Sequence, residues 1–364
     1  MCSKIPLNNI SFSSIRTAYN NSGQGTIPDP GPIKLSDISG ATLQGISVPT
    51  TNISIDEYLK GRTFGWPPWV EQNPTFSTTR TWSGITSSAD GTKLAACING
   101  GYIWTSSDSG VTWGYGGSTW ANRTAITSSA NGEKLATYVA NNFIYTSENY
   151  GATWQVRLAS GIRFWNDITS SANGEKLAAC VDGGYIWTSS DSGATWSDNS
   201  GASGTKVWES ITSSADGTKL AACVVGGYIW TSSDSGVTWS DDSSVIGTKV
   251  WVAITSSADG TKLAACVNGG YIWTSSDSGV TWSNNSGASG SRQWANSAIT
   301  SSADGTKLAA CVQGGYIWTS NYPFTIWIQS IDTNTEWNAI ASSANGEKLA
   351  ACVNGGNIWT LVDC

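Results

Sequence analysis

The sequence predicts an all-β fold: a seven-bladed β-propeller of four-stranded antiparallel blades, its ring closed by an N-terminal strand, behind an N-terminal loop-rich arm. Three observations predict it. One phrase recurs seven times at a near-constant period, a tight-turn signal sits at a fixed offset inside each copy, and the 364 residues include 41 Gly and 21 Trp with only 12% charged residues. Aromatic and β-branched side chains interrupted by glycine suit short, half-buried strands.

The phrase Ile-Thr-Ser-Ser-Ala-Asp/Asn-Gly-x-Lys-Leu-Ala-Ala-Cys begins at Ile85, Ile168, Ile211, Ile254 and Ile299, with looser copies at Ile126 and Ile340. The steps lie between 41 and 45 residues, a period that matches four short strands per blade. Strand A reads as Ile-Thr-Ser-Ser, and Ala-Asp-Gly or Ala-Asn-Gly makes the turn. Strand B is Lys-Leu-Ala-Ala-Cys-Val and strand C is Tyr-Ile-Trp-Thr-Ser, with Asn-Gly-Gly or a relative between them. Both are nearly continuous apolar runs, as sheets covered on two faces require. Strand D starts at the next Thr-Trp.

The C–D turn repeats Ser-Ser-Asp-Ser-Gly-Val-Thr-Trp at 106–113, 232–239 and 275–282, with Ala for Val at 189–196. It resembles the Asp-box of the BNR/sialidase-type propellers. In each box the Asp accepts turn N–H groups, the Gly supplies a positive φ and the Trp covers the hairpin. These structural residues are Asp108, Gly110 and Trp113; Asp191, Gly193 and Trp196; Asp234, Gly236 and Trp239; and Asp277, Gly279 and Trp282. Copy two is weakened at 147–154, and copy six has lost the box at Ser320–Phe324. Copy seven stops after strand C, so residues 68–73 are expected to complete blade seven. The expected domains are an arm over 1–62 and a propeller over 63–364.

Trp82, Trp120, Trp165, Trp208, Trp251, Trp294 and Trp337 recur just before the repeat Ile and read as core. Cys97, Cys180, Cys223, Cys266, Cys311 and Cys352 share one strand-B position in six blades. Sheets pack about 10 Å apart, so these thiols are expected to be buried, reduced and unpaired.

The sialidase likeness implies scaffold rather than chemistry. Sialidases clamp a carboxylate with clustered arginines; here the seven Arg are dispersed and no Arg-Ile-Pro stretch occurs. There is no His, which removes Ser-His and Cys-His nucleophile arrangements. No catalytic residue, metal site or cofactor is expected. A formal charge of −7 disfavours nucleic acid, and no apolar run is long enough for membrane insertion. No signal peptide is read at the N-terminus, so synthesis in a host cytoplasm is expected.

Departures from the repeat are where binding specificity is expected. Blade two departs most, which makes Arg123, Tyr138, Phe143, Arg157 and Arg163 the binding candidates. In the arm, Asn9-Ile-Ser-Phe-Ser-Ser-Ile-Arg-Thr-Ala-Tyr-Asn followed by Ile33-Lys-Leu-Ser-Asp-Ile resembles N-terminal modules of structural proteins in tailed phages and large DNA viruses. Ser14 and Ala18 stand where that pattern has Asp and Glu. The resemblance implies a virion protein, held to capsid or other virion proteins through residues 1–62, with a host glycan on the propeller and self-association through the arm as further candidates. The repeats also resemble photosystem II stability/assembly propellers, which implies a cellular scaffold as the alternative; a glycosidase is the third.

Overall fold

The computed structural model describes residues 69–72, 80–117, 121–198, 204–241, 246–284, 291–331 and 333–361, together with two short strands near residue 45. The chain divides into two compact units, 1–67 with 364, and 68–363. In the first, Thr42–Leu43 pairs antiparallel with Ile46–Ser47; the rest of the expected arm lies outside the described residues.

In the second unit each copy of the phrase lays down one antiparallel sheet. Sheet one runs strand A (Arg80–Ser87), B (Leu94–Ile98), C (Ile103–Ser106) and D (Gly114–Tyr115). Sheet two repeats it with Arg123–Ser128, Leu135–Val139, Ile144–Ser147 and Gln155–Arg157. Sheets three to six follow in the same order, with the outer strand of sheet four reduced to a bridge between Thr231 and Ser240. Sheet seven has strands Trp337–Ser342, Leu349–Gly356 and Ile358–Leu361. Its fourth strand is Trp69–Gln72, paired from Leu361↔Trp69 to Ile358↔Gln72. Both ends of this unit therefore share one sheet.

Strand A is longer than the expected Ile-Thr-Ser-Ser, starting at Arg80 in sheet one. The extra residues are the joints of the ring. The B–C hairpin of each sheet pairs with the start of the next strand A, as in Gly184↔Lys206, Gly227↔Lys249 and, across the closure, Gly356↔Arg80. The inner Trp then donates its indole N–H to that hairpin. Trp208 Nε1 bonds Gly184 O at 3.1 Å, Trp251 bonds Gly227 O at 3.0 Å, and Trp82 bonds Gly356 O at 3.1 Å.

At the A–B turns the main chain forms a closed cycle. Ala89 N–H donates to Ala130 O, and the series continues through Ala172, Ala215, Ala258, Ala303 and Ala344, whose N–H returns to Ala89 O; every bond is 2.7 Å. The alanine side chain is small enough to let successive turns meet main chain to main chain.

The core lies between the sheets. Strand B is buried along its length in sheets one and two, and the six repeat cysteines are buried and free. Inner and box Trp of one sheet pack as tilted pairs, at 6.4 Å for Trp82–Trp113 and 6.3 Å for Trp208–Trp239. In sheet six Trp327 takes the box place against Trp294, and in sheet seven Trp69 does so against Trp337.

The box turn is held from within. Ser106 Oγ donates to Asp108 Oδ1 at 2.8 Å and accepts from Gly110 N at 2.9 Å. Asp108 Oδ1 accepts Thr112 N at 2.8 Å, and Trp113 Nε1 donates to Gly110 O at 2.8 Å. Two residues, not one, take positive φ: Ser109 at 59° and Gly110 at 91°. Glycine is needed at the second for space as well, because a Cβ there would lie 2.7 Å from Thr360 Cγ2 of the preceding sheet.

Trp251→Phe keeps an aromatic ring and removes the indole N–H that bonds the half-buried Gly227 O. The expected loss is about 0.5–1.5 kcal/mol, read as a lower urea midpoint at unchanged slope.

Candidate functional site

The register of strand A locates the first departure. Arg123 pairs with Val139 as Trp82 pairs with Ile98 and Trp165 with Val181. Arg123, not Trp120, therefore occupies the inner-Trp position of sheet two, and Trp120 lies outside the described residues. The side chain is fully buried. Its Nη1 donates to Gly101 O at 3.4 Å, the same bond to the preceding hairpin that the Trp indoles make. Its guanidinium lies 5.4 Å from the Tyr145 ring, where the other sheets described carry Trp. Burial lowers its pKa.

Tyr138 takes the place of the repeat cysteine and is equally buried. Its hydroxyl donates to Asn166 O of sheet three, and desolvation, then the neighbouring Asp167, raises its pKa well above the ordinary value. Neither Arg123 nor Tyr138 is available to a ligand at the surface. Phe143 is half-buried beside the B–C turn of sheet two. Arg157 lies on strand D, bonding Thr146 Oγ1 at 2.6 Å and pairing with Glu148 at 3.5 Å. Arg123 and Tyr138 are thus buried and Arg157 lies on the outer strand, whereas Phe143 stands beside Asn142, which Arg163 bridges from the start of sheet three.

Arg163 belongs to a repeated position that sequence reading missed. Two residues before the inner Trp stand Arg80, Arg163, Lys206, Lys249 and Arg292. Each stacks on the strand-C Trp of its own sheet: Arg163 at 3.7 Å from Trp187, Lys206 at 4.3 Å from Trp230, Lys249 at 4.6 Å from Trp273, Arg292 at 3.7 Å from Trp318 and Arg80 at 4.8 Å from Trp104. Such cation–π contacts hold the start of strand A over the hairpin. The alternation of Arg with Lys inside variable connections hid the period; counting back two residues from each inner Trp reveals it.

The next residue of strand A separates the sheets. It is Thr81, Asn122, Phe164, Val207, Val250, Gln293 and Glu336 in turn. Phe164 is 62% exposed, Val207 46% and Val250 45%, with Ile162 61% exposed just upstream and Val225 paired to Val250. An apolar arc therefore runs over sheets three, four and five at the B–C end, whereas the position of Phe164, Val207 and Val250 is polar in the other four sheets.

A second departure is buried. Asp167 stands where strand A has Gly84, Ala125, Ser210, Ala253, Ala298 and Ala339. Its Oδ2 accepts Ser210 Oγ at 2.8 Å and Ile211 N at 2.9 Å from sheet four, and its Oδ1 accepts Ile168 N at 2.8 Å. Burial outweighs these bonds and pushes its pKa up to about 6. Glu209 beside it is also raised, by burial first, against a bond from Asn166. Oδ2 thus struts one inner strand against the next, while Oδ1 bonds its own strand. Among the described residues no group of three His, Cys, Asp or Glu is placed to hold a metal ion, and no helix is long and apolar enough to cross a membrane.

No protein-family model matches the chain, and no curated protein sequence matches it. Solved structures match in fold. YCF48 bound to D1 peptide superposes with a TM-score of 0.64 at 15% identity, over 83% of this chain and 99% of that one. YCF48 from Cyanidioschyzon merolae gives 0.62 at 13%, over 81% and 98%. The β-propeller domain of Cps50 (Swd1) from Myceliophteria thermophila gives 0.62 at 13%, over 81% and 100%. The chain is a β-propeller.

The carboxyl groups make its stability depend on pH in two opposed ways. At the A–B turns Asp90, Asp216, Asp259 and Asp304 accept bonds first from the adjacent Ser and also from the following Thr, and are held at about 2. An unfolded Asp titrates near 3.9, so this stabilisation is present above pH 4 and lost as the pH falls towards 2. Replacing the four by Asn, as sheets two, three and seven already have, is expected to flatten that acid limb of a urea-midpoint profile. Asp167 has the reverse sign: the folded protein holds its proton up to about pH 6, so stability falls as the pH rises from 4 to 6. Asp167→Ala restores the residue of sheets two, five, six and seven and is expected to abolish that slope while leaving the limb below pH 4.

Proposed function

We propose that the protein is a non-catalytic interaction propeller that binds a partner polypeptide across the B–C end of sheets three to five. The apolar arc of Ile162, Phe164, Val207, Val225 and Val250 carries this reading. The arc is exposed and spans three consecutive sheets, and the position of Phe164, Val207 and Val250 is Thr, Asn, Gln or Glu in the others. Covering such a patch removes apolar surface from water, with Phe164 its one aromatic side chain, and Arg163, Lys206 and Lys249 supply a polar rim. The likeness in fold to YCF48 bound to D1 peptide agrees with a polypeptide ligand. The commitment of Asp167 Oδ2 to two inter-sheet bonds and of Oδ1 to its own strand supports the non-catalytic half of the reading.

The resemblance of residues 1–62 to viral structural modules supports a tether to a virus particle, from which the propeller is displayed. Tagged residues 1–62 used as bait in infected-host lysate are expected to capture capsid or tail proteins; capture of cellular proteins alone would remove the virion from the reading and leave a cellular scaffold.

The arc is tested by a photo-crosslinking residue placed at Phe164 or, as control, at Val237 on a box turn of the full chain. A discrete adduct is expected from Phe164 only, and it should fall at least tenfold when Val207 and Val250 are changed to Ser. Equal labelling from both positions would sink the proposed face.

A further inference from the structure

The clefts between successive sheets at the box end are built alike and filled unequally. About 10 Å³ remains between sheets two and three, and the same between seven and one. An outer-strand side chain occupies each. Arg157 Nε donates to Thr146 Oγ1 at 2.6 Å, and Gln72 Nε2 donates to Thr360 Oγ1 at 2.8 Å. Their stems lie by the box glycine of the next sheet: a Cβ on Gly193 would be 3.5 Å from Arg157 Cγ, and one on Gly110 would be 3.7 Å from Gln72 Cγ.

Arg157 pairs with Ile144 and Gln72 with Ile358. The same register in sheet one, opposite Ile103, is Gly116, whose N–H bonds Ile103 O at 2.9 Å. A Cβ on Gly116 would lie 3.3 Å from Thr105 Cγ2, so the missing side chain is one that would run past Thr105. The cleft between sheets one and two is correspondingly open, about 520 Å³, with Thr105, Trp113, Lys93 and Tyr150 on its walls. Among the described residues no side chain donates to the Thr105 hydroxyl. The cleft between sheets four and five, about 330 Å³, has its equivalent position at Asp242, outside the described residues.

We propose that the open cleft between sheets one and two is a receptor for a primary carboxamide, a glutamine side chain carried by a partner polypeptide. The chain's own Gln72 shows the fit: an amide NH₂ donates to the strand-C threonine while the stem covers the box glycine. Glutamine is favoured over arginine by charge. Glu148, which pairs with Arg157 at 3.5 Å, is replaced in sheet one by Ser107, and Lys93 brings an ammonium to the wall, 4.9 Å from the Tyr150 ring. Lys134 stands likewise in the cleft that takes Arg157, but there Glu148 offsets the two cations; with Ser107 in its place the Lys93 ammonium repels a guanidinium, and it supplies a donor for the carboxamide oxygen. A carboxylate cannot donate to Thr105 as Gln72 donates to Thr360; it would instead accept from the Thr105 hydroxyl and the Lys93 ammonium, and the test separates the two. This inference rests on the reading that the propeller binds polypeptide, at a place separate from the apolar arc.

The test titrates the full chain with N-acetylglutamine amide, and with the glutamate and leucine counterparts, by saturation-transfer NMR. Saturable binding of the glutamine compound at millimolar concentration is expected, at least tenfold tighter than the leucine counterpart and tighter than the glutamate one; a preference for glutamate would overturn the carboxamide assignment. Gly116→Gln should fill the cleft from within and weaken binding at least tenfold. Thr105→Val removes the acceptor and should weaken it likewise, and it decides the matter if the first variant does not fold. No binding to the wild type, or equal binding by wild type and both variants, would overturn the proposal. Because no partner is present, the result is independent of whether Phe164 crosslinks.

Discussion

The structure depends on one constraint: every junction between sheets must be bridged, including the junction where the chain ends meet. A row of strands with an open end exposes unpaired N–H and C=O groups. The alanine cycle removes that end, because the Ala344 N–H finds Ala89 O at the same 2.7 Å as every other step. At the opposite end of strand A the inner Trp reaches the preceding hairpin, and Trp82 does so across the closure to Gly356. Trp69–Gln72 then completes the last sheet. Main-chain pairing at the turns, side-chain donation at the hairpins and an outer strand drawn from the start of the unit all serve the same closure.

Arg123 shows which property of the inner Trp matters. An aromatic ring is absent at that position, yet the donor still reaches the preceding hairpin at Gly101. The surroundings have changed with it: Tyr145 replaces the strand-C Trp beneath the guanidinium, and Tyr138 replaces the cysteine. Taking a guanidinium out of water is costly unless it is compensated, and the hairpin carbonyl and the Tyr145 ring are part of that compensation. Sheet two is thus an alternative solution of the same joint, reached by exchanging several residues together.

That exchange also explains what was legible in the sequence. The period, the order of strands, the box turn and the buried cysteines follow from residue types that recur at fixed spacing. The register of Arg123 did not, because a search for Trp finds Trp120 three residues upstream and skips the equivalent donor. The cations at 80, 163, 206, 249 and 292 were hidden for a similar reason, since Arg and Lys perform one stacking role under two letters. The open cleft is visible only as a missing side chain. Gly116 reads as one more glycine until Arg157 and Gln72 show what that register holds elsewhere. The apolar arc was unread because its members are single residues in different copies, and only the ring brings them side by side.

Near-sevenfold repetition bears on function through redundancy. Closure uses the same joints seven times, so positions outside those joints are free to differ without opening the ring. The exposed residue after the stacked cation is such a position, and there the copies diverge from Thr and Asn to Phe and Val. The buried position of Asp167 is not free in this sense. A carboxylate there must be satisfied by the neighbouring sheet, and Ser210, unique at its own register, supplies one of the bonds. Asp167 and Ser210 therefore form a matched pair across one junction, whereas the exposed side chains of Phe164, Val207 and Val250 are left uncovered by the ring. Apolar side chains of this kind on consecutive sheets gain stability only when something outside the ring covers them, and that physical difference separates a departure the fold itself satisfies from one it does not.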